Sequence, residues 1–367
     1  MRSMNVDIVL FSSNYRPEYM QDNLRILAYP SGHIMHYRYR TKWVDKALLS
    51  DLENEDKRKG LRGKDVLIIT IGNSMPSSNR NSWQFYPIRK GSIVDIYEKN
   101  GVVHVYFQLS DKLVGYDINT QINLTSNLRS SFSSYATYFT SLSKVVQNII
   151  STNLEEKPLE EQWDQLVDIL SNDPDFREVL FYRFEILSTH NQETQIIKPT
   201  IHDRISLKSE YKVSCSEEYI LKIYIRENAN TTIKSDSKLI VESTTSNIII
   251  MPSKIPIWLI ADEKNILLKI RTCAKYNLAQ IIIKGDNIVT AYIDDIFLHL
   301  QPKLFNREEL LLTMFAVGLL LSSGAIGIFA QVFPLSLKLG AWTAFVLTLF
   351  GILLSTIAIA KLSSQNS

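Results

Sequence analysis

Leu310–Ala330 (LLLTMFAVGLLLSSGAIGIFA) and Leu339–Ala360 (LGAWTAFVLTLFGILLSTIAIA) contain no charged residue. At a rise of 1.5 Å per residue, a helix of either length is about 30 Å long, which matches the hydrocarbon core of a bilayer. Two uncharged runs of ~20 residues are rare in soluble folds, where they would form a very apolar buried hairpin. The sequence therefore predicts a transmembrane hairpin over residues 306–362, with helices at about 309–331 and 338–361.

The charges that flank the two runs predict the orientation of this hairpin. Lys303, Arg307 and Lys361 lie beside its two ends, whereas Lys338 alone lies at its turn. Cytoplasmic flanks carry the excess of Lys and Arg, so both ends are expected on the cytoplasmic side of the plasma (inner) membrane. The apolar run near the N-terminus is too short for a signal peptide, which predicts that the preceding body stays in the cytoplasm.

Small residues recur four positions apart in both apolar runs. Such pairs let helix backbones approach closely in lipid, where no hydrophobic effect drives helices together. They are expected to close the hairpin within one chain or to join copies in a homo-oligomer. Because two helices cannot enclose a pore, any channel would need several chains. The small residues are Gly318, Ser322, Ser323, Gly327, Gly340, Ala344, Gly351 and Ser355.

The roughly 300 residues before the hairpin are enough for two domains, and their pattern is mainly β with an α-helical middle segment. Residues 1–125 predict a basic, antiparallel β domain with a tight hairpin at Asn100-Gly101, the preferred two-residue turn. Residues 126–195 predict a helical connector. Seven or eight short strands separated by polar turns predict a β-sandwich over residues 196–303.

Several local patterns carry more detailed expectations. Residues 26–44 predict a second hairpin, turned at Pro30-Ser31-Gly32, and residues 44–58 predict a surface helix that runs into a basic loop. In the connector, Pro158 is expected to open one helix. An earlier helix is predicted from apolar residues spaced at three and four, namely Phe132, Tyr135, Phe139, Leu142, Val146 and Ile149.

The basic residues of the chain are concentrated at its front. The net charge is only +2, yet residues 1–130 contain 18 Lys and Arg against 13 Asp and Glu. Strand alternation places cations on one face of residues 35–43 and Met35, Tyr37, Tyr39 and Trp43 on the other. The candidate anion-binding or partner-binding residues are His36, Arg38, Arg40, Lys42, Lys57, Arg58, Lys59, Arg62 and Lys64.

Basic groups beside aromatic rings suit nucleic acid, a nucleotide, lipid headgroups or an acidic protein surface. The structural alternative is a solvated strand face opposite an aromatic core. The excess of five basic residues is too small for a dedicated DNA-binding domain, so direct nucleic-acid binding is the weaker expectation and a cytosolic protein partner the stronger one.

No pattern in the sequence predicts catalysis, a cofactor or a metal. The six histidines lack the spacings of metal sites, and no nucleophile elbow or complete phosphate loop is present. Gly72-Asn73-Ser74 follows an apolar strand, as a phosphate-binding turn would, but one glycine is too few. Cys215 and Cys273 form no metal or redox motif and are expected to be free, buried thiols.

Three functions remain after these exclusions. The first is a cytosolic sensor body on a two-helix hairpin that oligomerises and perturbs the membrane when a partner engages the body. In layout this is similar to the two-transmembrane effectors of bacterial antiviral defence systems, although no motif identifies a family. The second is a scaffold that tethers a cytosolic protein or a nucleic-acid-containing partner, and the third is a membrane-bound enzyme with an unrecognised site.

Overall fold

The computed structural model describes residues 6–13, 16–73, 82–131, 139–141, 154–176, 179–190, 193–201, 209–226, 237–256, 261–271, 277–286, 294–301 and 346. Most of these residues form one compact unit, whereas Ser214–Glu217, Arg271 and Gln301 belong to a second. The described fold is mainly β, with three sheets. This confirms the β-rich class that the sequence predicted.

The first sheet contains seven described strands in the order β2-β5-β4-β3-β1-β6, with β7 paired to β5. They are β1 (Ile8–Ser13), β2 (Ile34–Arg40), β3 (Asp65–Gly72), β4 (Gln84–Lys99), β5 (Val102–Gly115), β6 (Phe139–Ser141) and β7 (Glu155–Pro158). β1 and β3 run parallel, so the predicted antiparallel domain is wrong at this pair. A parallel pair needs a crossover, which the chain between β1 and β3 supplies with helices and β2.

The N-terminal part of the chain also differs from the prediction in its helices. They are α1 (Pro17–Ala28), α2 (Lys46–Glu53), α3 (Glu55–Gly60), α4 (Ile118–Ser131) and α5 (Leu159–Ser171). The hairpin predicted for residues 26–44 is wrong in its first arm, which is the end of α1. Pro17 fixes the backbone of the first turn, and Met20, Leu24 and Leu27 are buried at helical spacing. The expected turn and second arm are present, as residues 30–33 and β2.

The predicted basic loop at residues 57–64 is also helical in its first half. Asn54 caps α3 by accepting hydrogen bonds from the backbone amides of Asp56 and Lys57, at 3.0 and 3.1 Å. Asp45 caps α2 in the same way. These side-chain caps satisfy amides that lack a partner within the helix. Two short helices therefore replace the single predicted helix and part of the loop.

The hairpin of β4 and β5 confirms the prediction at Asn100-Gly101. Both residues have positive φ, 54° and 76°, as this two-residue turn requires. The turn sets the register, which pairs Lys99 with Val102 and Tyr97 with His104. Alternate residues of β5, namely Val103, Val105, Phe107 and Leu109, are buried, so the intervening residues face solvent.

Two further sheets follow, each with one buried face, as expected for a β-sandwich. The six-stranded sheet contains β10 (Thr200–Ile201), β11 (Ser209–Ser214), β13 (Lys238–Ser243), β15 (Lys254–Pro256), β17 (Asn277–Asp286) and β18 (Asp294–Gln301). The five-stranded sheet contains β8 (Phe181–His190), β9 (Glu193–Ile196), β12 (Glu218–Arg226), β14 (Ile248–Met251) and β16 (Ala261–Ile270). β8 and β9 begin before residue 196, where the sequence predicted the sandwich to begin.

The predicted helical connector, residues 126–195, contains both helices and strands. Its helix after Pro158 is confirmed as α5, whose apolar residues are buried. The helix predicted from Phe132 to Ile149 is contradicted at Phe139–Ser141, which is strand β6 paired with β1. The rest of that predicted helix, residues 132–138 and 142–149, lies outside the described residues. Sheet pairing outweighs the local helical spacing at this position.

The C-terminal features are described only at their start. Cys215 is disulfide-bonded, which corrects the expected free thiol, and Cys273 is the only other cysteine of the sequence. Within the second unit, the backbone amide of Cys215 donates to Gln301 at 2.8 Å. No helix among the described residues is long and apolar enough to cross a membrane. Apart from Val346, both predicted spans and all eight small residues lie outside the described residues.

Candidate functional site

The strand face predicted to bind an anion is the solvent-facing side of β2. Arg38 and Arg40 are exposed and His36 is half-buried, whereas Met35, Tyr37 and Tyr39 between them are buried. This alternation follows from the pleat of a strand with one face on the core. Tyr39 is tied to that core by a hydrogen bond from its hydroxyl to the carbonyl of Phe11, at 3.0 Å. The side chains that face solvent are therefore held on a rigid strand.

We call Arg38, Arg40 and Lys42 the cation row. Lys42 lies in a short 3-10 helix, Thr41–Trp43, directly after β2. Its ammonium is 5.3 Å from the centre of the Trp43 ring, and the Arg40 guanidinium is 5.9 Å from the same ring. Both distances are within the range of cation–π attraction. In the described part of the chain, no carboxylate forms an ion pair with any member of the row.

The remaining predicted cations, at residues 57–64, are in a different situation. Four of them pair with carboxylates: Lys57 with Asp51 at 3.1 Å, Lys59 with Glu55 at 2.8 Å, Arg62 with Asp95 at 2.7 Å and Lys64 with Asp7 at 3.4 Å. Arg58 is half-buried in the last turn of α3. Because the paired carboxylates offset their charge, these residues present a weaker positive field than the cation row.

Sequence reasoning missed three aromatic side chains beside the cation row. Tyr97 on β4 and His104 and Tyr106 on β5 lie on the same solvent face as His36. With His36 they form a set of nearly parallel rings that we call the ring ladder. The alternating residues of β5 and the register of the Asn100-Gly101 turn contain the signal that could have found them.

The rings of the ladder contact one another closely. The His36 ring stacks on Tyr106 with centroids 4.1 Å apart and planes 2° from parallel. Tyr97 stacks on His104 at 4.9 Å, and His36 lies 5.3 Å from His104. His36 Nε2 and His104 Nδ1 are 3.1 Å apart, so one nitrogen donates a hydrogen bond and the other accepts it. The ladder thus spans three adjacent strands at the β2 edge of the sheet.

Electrostatics keep the imidazoles of the ladder uncharged at neutral pH. Burial, and then the positive charge of His104 and Arg38, lower the pKa of His36 to about 4. Burial and the charges of Arg38 and Lys99 also lower the pKa of His104. Burial and a hydrogen bond with Tyr97 raise the pKa of Tyr106 to about 12. The face therefore combines neutral stacked rings with cations supplied by arginine and lysine.

The Gly72-Asn73 turn at the end of β3 was the sequence candidate for phosphate binding. The Asp173 carboxylate occupies this turn: it accepts from the backbone amide of Asn73 at 3.3 Å and from the Tyr86 hydroxyl at 2.8 Å. A side chain on Gly72 would overlap the same carboxylate. Burial raises the pKa of Asp173, the largest of several effects. An amide already bound to a carboxylate is unsuited to a phosphate, so this turn has a structural role.

A metal-dependent function has no support among the described residues. No three His, Cys, Asp or Glu side chains there lie close enough together to hold a metal ion. Comparison of the sequence with models of known protein families and with curated proteins found no match.

Proposed function

We propose that this protein is a membrane-anchored sensor and effector whose body recognises an anionic partner through the cation row. The observation that carries the proposal is that Arg38, Arg40 and Lys42 lack carboxylate partners among the described residues, whereas four of the five cations at residues 57–64 have them. Cations left unpaired on a rigid strand remain available to an external anion. The anion is part of a cytosolic partner.

The output in this proposal is the C-terminal hairpin. Its two uncharged runs have the length of membrane spans, and its small residues suit close helix packing between copies. Engagement of the body by its partner clusters several chains in the bilayer. The resulting homo-oligomer then perturbs the inner membrane, as a bacterial antiviral effector.

The test is induced expression of the full chain with growth and membrane potential as readouts. Growth arrest with depolarisation is expected for the natural sequence. Arg38→Ala with Arg40→Ala removes the input, and Gly318→Leu with Gly327→Leu blocks helix packing, so each pair is expected to abolish both effects. Lys269→Ala with Lys284→Ala is the matched control, because it removes two strand cations that pair with Glu218 and Glu242.

Replacement of residues 306–367 by an unrelated two-helix anchor separates an effector from a scaffold. An effector loses its toxicity in this chimera, because an unrelated hairpin cannot form the same assembly. Retained activity in the chimera, or arrest that persists in the Gly318→Leu variant with unchanged oligomer size, would overturn the effector and leave a membrane tether.

A further inference from the structure

The ring ladder indicates a more specific ligand than an anion in general. His36, Tyr97, His104 and Tyr106 are half-buried on the solvent side of β2, β5 and β4, with their rings parallel within 24°. Cross-strand ring pairs stabilise a sheet, and on its solvent side they also present partly exposed ring surface. Flat rings beside unpaired cations match a ligand that has both flat apolar faces and regularly spaced negative charges.

The position of the ladder in the sheet places one of its rings on an edge strand. β2 is an edge strand of the first sheet, and His36 is the ladder residue on that strand. Arg38 and Arg40 follow His36 on the same face at alternate positions. Residues two apart along a strand are separated by about 6.5–7 Å. A chain that runs along β2 therefore meets a ring first and then two guanidinium groups.

The carboxylates near the ladder are hydrogen-bonded to other groups and are outnumbered by cations. The Asp95 carboxylate, opposite Tyr106, accepts two hydrogen bonds from the Arg62 guanidinium, at 3.0 and 2.7 Å. Glu98 accepts from the backbone amide of Gly101 at 2.6 Å, inside the hairpin turn. Lys99 adds a further exposed cation beside His104. The local balance around the rings is positive.

We infer that the ring ladder and the cation row together bind single-stranded nucleic acid, with bases stacked on the rings and phosphates paired with Arg38 and Arg40. This inference rests on the proposed function, because it names the anionic partner of the same surface. Base stacking on sheet aromatics with arginine and lysine along the backbone is a general mode of single-strand binding. An acidic protein or a lipid headgroup would use the cations but not the parallel rings.

The experiment uses the full chain in lipid nanodiscs and short fluorescent oligonucleotides read by anisotropy. A homopolymer strand is compared with an abasic strand of equal length, so that both carry the same number of phosphates. The homopolymer is expected to bind more tightly by about 5-fold or more, because each stacked base contributes ~1–3 kcal/mol. This comparison needs no variant and is therefore independent of folding defects.

Variants then assign the two contributions to residues. His36→Leu and Tyr106→Leu are expected to reduce binding of the homopolymer toward that of the abasic strand, without changing the abasic affinity. Arg38→Ala with Arg40→Ala is expected to weaken binding of both strands and to lower the slope of log affinity against log salt by about 1.4, since each phosphate contact on a single strand contributes about 0.7. Lys269→Ala with Lys284→Ala serves as the control and leaves both affinities unchanged.

The outcomes separate this inference from the proposed function. Equal binding of normal and abasic strands, with no effect of His36→Leu, overturns the nucleic-acid inference. If poly-glutamate or anionic vesicles then bind in an Arg38-dependent manner, an acidic protein or a lipid surface is the partner and the anion-binding function stands. If none of these probes binds, and Arg38→Ala with Arg40→Ala also leaves growth arrest unchanged, the input surface of the proposed function is wrong.

Discussion

The Arg89 side chain is fully buried on β4, where a cation must find partners to offset its lost hydration. It donates to the carbonyls of Ile26 and Tyr29 at the end of α1, at 2.9 and 2.7 Å, and to the carbonyl of Ser110 at 2.8 Å. Burial lowers its pKa to about 9, so the guanidinium remains protonated at neutral pH. Arg89 thus satisfies the last carbonyls of α1, and it lies one residue from an irregularity in the β4–β5 register.

Arg89→Ala is expected to lower the free energy of unfolding by about 3–5 kcal/mol, because two buried carbonyls and one partly buried carbonyl lose their donor. Arg89→Lys keeps the charge but not the forked geometry, so its loss is expected to be smaller. Chemical denaturation of the full chain in detergent, followed by tryptophan fluorescence, measures both. Arg62→Ala is the control, since its exposed pair with Asp95 is expected to contribute less than about 1 kcal/mol. Equal losses for Arg89→Ala and Arg62→Ala would show that the buried contacts do not stabilise the fold.

At the scale of elements, the Asn100-Gly101 turn determines which residues reach the ring ladder. Gly101 has φ of 76°, a region that costs a residue with a Cβ roughly 1–2 kcal/mol. A Cβ added to Gly101 would meet open space, and so would one added to Gly60 at the end of α3. The two glycines therefore differ in backbone conformation and not in crowding.

Gly101→Ala is expected to destabilise the body by about 1–2 kcal/mol, because alanine is strained at positive φ. Gly60→Ala is expected to be neutral or stabilising by up to about 1 kcal/mol. Alanine has a higher helix propensity than glycine, and it lowers the conformational entropy of the unfolded chain. Urea unfolding of both variants under one set of conditions makes the comparison. A similar loss in both, or none in Gly101→Ala, would contradict the assigned role of the turn.

Sequence patterns predicted the elements whose local signals agree with their tertiary setting. The β4–β5 hairpin, β3, α5 and most sandwich strands combine an apolar period with a matching turn or cap. The predictions fail where pairing with a strand distant in the sequence determines the structure. Phe139–Ser141 pairs with β1, and the parallel β1–β3 pair joins residues 58 apart in the sequence, as in Ile8 with Val66. Neither pairing leaves a signal in the local sequence.

The candidate site was half predictable for the same reason. Alternation along β2 placed Arg38 and Arg40 on one face without knowledge of any neighbour. The ladder needed the register of β2 with β5 and of β5 with β4, which brings His36 beside Tyr106 and Tyr97 beside His104. Among residues 57–64, the pairs of Arg62 with Asp95 and of Lys64 with Asp7 depend on the fold and could not be read from the local sequence. The pair of Lys59 with Glu55 is local, and its i,i+4 spacing could have separated that cation from the cation row.

At the scale of the whole molecule, two features favour different cellular compartments for the body. The charges that flank the predicted hairpin are those expected when both of its ends lie in the cytoplasm. The disulfide at Cys215 suits an oxidising compartment, because glutathione and thioredoxin keep cytosolic thiols reduced. The bond matters to the fold, since one that closes a loop of tens of residues typically contributes ~2–4 kcal/mol. The amide of Cys215 also bonds to Gln301, directly before the predicted hairpin.

If the body is cytoplasmic, Cys215 and Cys273 are expected to be thiols in living cells and to form their bond only after extraction into air. Because Cys215 is buried in the folded protein, cells are lysed directly into denaturant that contains excess maleimide, and doubly alkylated protein is expected. Mass spectrometry of the intact chain counts the labels, and Cys215→Ser, which has one thiol at most, calibrates the measurement. Protein that accepts labels only after a reductant is added would place the body in an oxidising compartment. That result would reverse the predicted topology, and the partner of the cation row would then have to be extracytoplasmic.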